Sequence, residues 1–121
     1  MNDEFGLPKK RRANPFVVDE NVDARVNLLN LALRFPTLRR IIENDYEHFV
    51  SSTRGLDLEK LAEWTQLSSS GERHAAAFIC NLYNDRAAWK CAKFDFFGAW
   101  ATWDDEHREV FMTWAKNGWM P

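Results

Sequence analysis

The side chains with the widest chemical repertoire in this 121-residue chain are two cysteines, three histidines and a run of three serines. A metal site of the usual kind needs ligands that return after two to four residues. His48, His74 and His107 are far apart, and neither Cys80 nor Cys91 has a second ligand at that spacing. No metal and no cofactor are therefore expected. On one continuous helix Cys80 and Cys91 would lie about 16 Å apart, beyond the reach of a disulfide. A turn at Asn84-Asp85 would fold the chain back and let them approach. The expected state is a pair of buried or half-buried free thiols. His74 precedes Cys80 by about one and a half helical turns, which does not set the two side by side as base and nucleophile. No nucleophile elbow, phosphate loop or zinc-hydrolase motif occurs. The serines have a structural use, because Ser69 and Glu72 fit the reciprocal capping box that opens a helix. These residues point to a non-enzymatic protein with no catalytic set.

Charge and aromatic residues are more informative. All six tryptophans (Trp64, Trp89, Trp100, Trp103, Trp114 and Trp119) fall in the second half. One small core has difficulty burying six indoles, each of which needs an acceptor for its N–H. Trp103 and Trp119 are the expected surface anchors, Trp119 because it follows Gly118 at a helix stop. Beside Trp103 lie Asp104, Asp105, Glu106 and Glu109, against a single positive residue, Arg108. Acids suit the positive end of a helix, and the same row could mimic phosphates or steer a basic partner. The candidate protein-binding set is therefore Trp103, Asp104, Asp105, Glu106 and Trp119. At the other end Lys9, Lys10, Arg11 and Arg12 form a basic run after Pro8. It resembles a short nuclear-import signal and is the candidate nucleic-acid contact. With a pI near 5.9 the whole surface is not a nucleic-acid footprint. Four charges give only a weak, salt-sensitive grip.

These residues need elements to hold them. Residues 1–18, with Gly6, Pro8 and Pro15, read as a flexible arm, and residues 19–121 as a single helical domain. Asp19 is expected to cap a helix whose face is Val22, Val26, Leu29 and Leu33, widened by Leu28, Leu31 and Phe35 and ended before Pro36. A second helix is expected from Thr37 to Ser52, stopped by Gly55. Asp57 caps a third, with Leu58, Leu61 and Ala62 inward. Ser69 opens a fourth, whose apolar residues from Ala75 to Tyr83 cover more than half its circumference and so predict burial on several sides. A helical turn over Ala87–Cys91 is expected next, then a segment capped by Asp95 in which Gly98 implies close packing. Asp104 caps the last helix, with His107, Val110, Phe111 and Trp114 at helical spacing and Gly118 as its stop. No stretch alternates with period two. The expectation is an all-α, compact bundle of five or six helices, with Val26, Leu29, Leu33, Ile42, Phe49, Phe78, Ile79, Leu82 and Phe111 in its core.

No apolar run is long enough for a membrane helix, and the start MNDEFGLPKKRR carries no secretory pattern. The expected location is the cytoplasm of a cell or of an infected host. Residues 67–121, LSSSGERHAAAFICNLYN followed after a connector by FDFFGAWATWDDEHREVFMTWAKNGWMP, resemble short helical proteins of phages and bacterial mobile elements, anti-CRISPR inhibitors among them. The resemblance implies an inhibitor that binds a host protein or nucleoprotein complex, and it assigns no functional residue. A homodimer is the competing use of the same apolar surface. A nucleic-acid-associated accessory or regulatory protein using the basic arm is the alternative.

Overall fold

The structure, a computed structural model, describes residues 18–52 and 54–121. Helix α1 (Ala24–Ala32) is the most deeply placed element, with Leu28, Leu29, Leu31 and Ala32 fully buried. Its cap is Asp23, whose carboxylate accepts the Arg25 N–H, and not the expected Asp19. Asp19 lies upstream, where its N–H donates to Asn27 Oδ1 and its carbonyl accepts from Asn27 Nδ2. The chain leaves α1 through Leu33 and Phe35, and Pro36 then serves as the first residue of α2 (Pro36–Asn44). A proline is preorganised for that position and has no N–H to leave orphaned.

The long second helix expected from the sequence is broken at Asp45, whose backbone is non-helical. Asn44 and Asp45 compete with the backbone for hydrogen bonds and so disfavour helix interiors. A single turn, α3 (Tyr46–Phe49), leads into β1 (Val50–Ser51), which pairs antiparallel with β2 (Gly55–Leu56) in the register Val50 with Leu56. Gly55 is therefore a strand residue packed on α1. Its φ is +86°, and a Cβ there would stand 2.6 Å from the Arg25 carbonyl and the Val26 nitrogen. Only glycine fits both the dihedral and the space.

Asp57 caps α4 (Leu58–Trp64) as expected, and a 3-10 turn (Thr65–Leu67) follows. Ser69 and Glu72 form the reciprocal capping box of α5 (Ser70–Tyr83). Ala75 to Cys80 are buried without interruption, which matches its packing against α1, α2, α4 and, further on, α6 (Phe96–Thr102). The last helix is α7 (Asp105–Asn117), ended by Gly118 in the left-handed conformation. Among the described residues there are thus seven α-helices and one short antiparallel ladder. The protein is mostly helical, and the all-α expectation is corrected by β1 and β2. Each strand has two residues, too few for a period-two pattern to show.

Candidate functional site

The aromatic half divides into a buried wall and an exposed edge. At the centre of the wall is Phe35, with the rings of Phe78, Trp103 and His107 at 5.9, 5.4 and 5.8 Å. Phe78 in turn meets Phe94, Phe111 and Trp114 at 5.1–5.3 Å. Edge and tilted contacts of this kind add to area burial. Trp103 belongs here. It is 3% exposed, on the extended residue that joins α6 to α7, so it is a core residue and is removed from the expected surface set. Its indole N–H has no acceptor among the described residues.

Trp119 also departs from the expectation of a free anchor. It is half-buried and packed on the core, and its carbonyl accepts the Trp114 Nε1–H at 2.8 Å. The tail thereby closes over the inward face of α7. Nothing is described for Lys9, Lys10, Arg11 and Arg12, which lie outside the described residues together with the rest of segment 1–17.

Of the exposed large apolar residues, Tyr83 ends α5 and Met120 lies in the tail, while Phe96, Phe97 and Met112 are carried by α6 and α7. Asp95 caps α6 by accepting the Gly98 N–H at 3.1 Å. A Cβ at Gly98 would meet that carboxylate and, at 3.1 Å, His74 of α5. The close seat of α6 fixes where its first turn points. Phe97 stands out at 83% exposure, and Phe96 is also exposed. Phe96 contacts Phe97, Trp100 and Phe111 at 5.5, 5.7 and 5.3 Å. On α7 the residues Arg108, Phe111 and Met112 share a face by their helical spacing, and Met112 is 42% exposed. Arg108 binds the two helices together. Its Nε–H donates to the Trp100 carbonyl at 2.9 Å, and its guanidinium lies 5.2 Å from the Trp100 ring centre. The result is an apolar strip of Phe97, Phe96, Trp100, Phe111 and Met112, of which sequence periodicity marked only Phe111. Phe97 carried no signal of its own, because Phe96 and Phe97 are equally hydrophobic and only the seat of α6 decides which turns outward.

Of the acids expected at the site, Asp105 and Glu109 border this strip, whereas Glu106, two residues before Arg108, falls on the opposite side of α7 and leaves the expected set. Asp105 is fully solvent-facing, and Asp104, Glu106 and Glu109 are exposed. Asp105, Arg108, Glu109 and Met112 follow at helical spacing, so carboxylates and the apolar strip share one side of α7. Asp104 is tied down at its inner oxygen. Its Oδ1 accepts the His107 N–H at 2.9 Å and lies 2.7 Å from His107 Nδ1. The first of these bonds, reinforced by the second, holds the Asp104 carboxyl below the ordinary carboxylate range.

His107 extends that contact inward, with Nε2 3.0 Å from the Thr37 hydroxyl. The carboxylate can only accept, so Nδ1 carries a proton and donates to Asp104, while Nε2 and the Thr37 hydroxyl are hydrogen-bonded to each other. A hydroxyl, an imidazole and a carboxylate in this order resemble the chain that activates a nucleophile. Here the ring is 5% exposed between Phe35 and Trp103, with both nitrogens engaged. Its evident work is to tie α7 to α2. Thr37 and His107 are 70 residues apart, and no local pattern links them.

Among the described residues no cluster of three or more His, Cys, Asp or Glu could hold a metal ion. No described helix is long and apolar enough to cross a membrane. No protein family, no curated protein and no solved structure matches this chain.

Proposed function

We propose that this protein is a non-enzymatic protein-binding module whose contact surface is the edge formed by α6 and α7. The observation that carries this reading is Phe97, a large apolar side chain held 83% exposed on a closely packed helix, with solvent-facing carboxylates on the neighbouring α7. Contiguous apolar surface of this kind marks interaction sites. Anchors are typically large side chains that fill a pocket in the partner. The complementary partner is a protein with an apolar cleft bordered by lysine or arginine. A symmetric dimer through the same patch would bring the two acidic borders together, and that repulsion favours a different protein over a second copy.

The finer reading is a phage or mobile-element inhibitor, of the anti-CRISPR type, that sterically blocks a host nuclease or defence complex. It rests on the resemblance of residues 67–121 and on the same surface, since a nucleic-acid-handling complex offers basic clefts for the acids to enter. A photoreactive phenylalanine analogue placed at position 97 in producing cells tests both levels. The expected result is one predominant host protein cross-linked from position 97 and not from the exposed position 73 on α5. Self-cross-links, with a dimer by light scattering, would replace this reading by homodimerisation. The same scatter of products from both positions would overturn it.

A second reading, a nucleic-acid-associated accessory protein, is favoured by the run Lys9, Lys10, Arg11 and Arg12. Nucleic-acid binding that falls with rising salt and disappears on deletion of residues 1–14 supports it. Binding unchanged by the deletion would rule out the arm as the contact.

A further inference from the structure

Cys80 lies buried on α5, and Cys91 lies half-buried on residues 84–95, which carry turns and bends in place of the expected helical turn. The chain does fold back after Asn84. Asn84 Oδ1 accepts the Arg86 N–H, the Asn84 carbonyl accepts the Trp89 indole N–H at 2.8 Å, and Lys93 reaches the Asp85 carbonyl. Two bonds hold the returning segment on the body of the protein. Asn81 Nδ2 donates to the Ala92 carbonyl at 3.3 Å, and Gln66 Nε2 to the Lys90 carbonyl at 3.5 Å. Asn81 follows Cys80 and Ala92 follows Cys91, so this pairing lays the segment of Cys91 against that of Cys80. Cys91 packs on the core cluster that holds Cys80, and each thiol is the main influence on the other's acidity. Both remain reduced.

We propose that Cys91 and Cys80 form a thiol modification site that takes a low-molecular-weight disulfide as substrate and closes to an internal Cys80–Cys91 disulfide. Exposure sets the order of events. The half-buried Cys91, as thiolate, attacks one sulfur of the small disulfide R–S–S–R. A mixed disulfide forms and one thiolate RS⁻ leaves. Cys80 then gives its proton to that thiolate, and its sulfur attacks Cys91 Sγ. The Cys80–Cys91 bond forms, the mixed disulfide breaks, and the second RS⁻ leaves to take the proton that Cys91 lost. The protein dithiol is oxidised by two electrons and R–S–S–R is reduced to two RSH. The neighbouring Cys80 thiol, itself donating to the Leu58 carbonyl at 3.6 Å, holds the Cys91 pKa below that of an ordinary cysteine, which enriches the attacking thiolate. The neighbouring Cys91 and then burial push the Cys80 thiol up, so it stays protonated until its neighbour has reacted. Closure would fix the segment that delivers Asp95 and the start of α6.

The test is to incubate the reduced full chain with oxidised glutathione, quench by alkylation and read intact mass and peptide map. The expected product has lost two hydrogens, has no alkylatable thiol, joins the peptides of Cys80 and Cys91, and remains one chain. Cys80→Ser, or Cys80→Ala if the serine variant fails to fold, should instead hold a glutathione adduct at Cys91. Cys91→Ser should leave Cys80 unmodified over the same period. A wild-type chain that stops at the adduct, cross-links to a second chain or keeps both thiols would overturn the proposal, as would equal modification of Cys80 in Cys91→Ser.

Discussion

Two aromatic regions of this protein lie within one ring of each other and do opposite things. Around Phe35 and Phe78, rings from the α1–α2 junction, α5, α7 and the α6–α7 junction pack together, with Phe35, Phe78 and Trp103 buried and Phe111 and Trp114 half-buried. At the start of α6, Phe96 still reaches Phe111 of that wall, but Phe97 projects into solvent. Composition does not distinguish them, since both are rich in Phe and Trp. What differs is the backbone beneath. The wall rests on the buried face of α5 from Ala75 to Cys80, and the edge sits on a seven-residue helix of which only Ala99 is buried. Aromatic content therefore marks where apolar surface is plentiful, and helix position decides whether it stabilises the fold or remains available to a partner.

The comparison makes graded claims about mutations. Phe78→Ala removes the ring on which four others converge and should cost about 3–5 kcal/mol in a urea titration. Leu82→Ala, at a half-buried site, should cost clearly less. Gly55→Ala should cost at least about 1–3 kcal/mol, because the strained φ is joined by a collision with α1 backbone that cannot turn aside. A melting point unchanged by this substitution would contradict the close approach of β2 to α1. Asp104→Ala should lose about 1 kcal/mol with the helix cap. Its acid behaviour follows from the lowered pKa. The stabilisation is complete above the ordinary carboxylate pKa of about 3.9 and is lost as the pH falls through the lower folded value. Urea midpoints of the wild type and of Asp104→Asn should therefore converge in acid. At the other extreme, Phe97→Ala should change stability by no more than about 0.5 kcal/mol, as for an ordinary surface site.

The sequence was most legible where structure is made by neighbours in the chain. Asp57, Ser69 with Glu72, Asp95, Asp104 and Gly118 all end helices as expected, because capping is settled within four residues. The first helix is capped by Asp23 and not by the expected Asp19, whose backbone is instead held by Asn27, eight residues on. Seven of the nine expected core residues are buried, and Leu82 and Phe111 are half-buried at the rim. Trp103 was misplaced because helical periodicity says nothing about a residue on an extended junction. The acidic border was visible as a charge run, but its apolar companion, Phe97, depends on how α6 seats against His74. The same holds for Thr37 with His107 and for Cys80 with Cys91, which meet only through the fold.

The proposed function requires that the edge bind a protein and contribute little to folding. The most direct measurement is calorimetric titration of the host protein cross-linked from position 97 into the wild type and into Phe97→Ala, with both confirmed to be folded. The variant should bind at least about tenfold more weakly, or by about 1.4 kcal/mol, at an unchanged melting temperature. Equal affinity of the two proteins for that partner would contradict it.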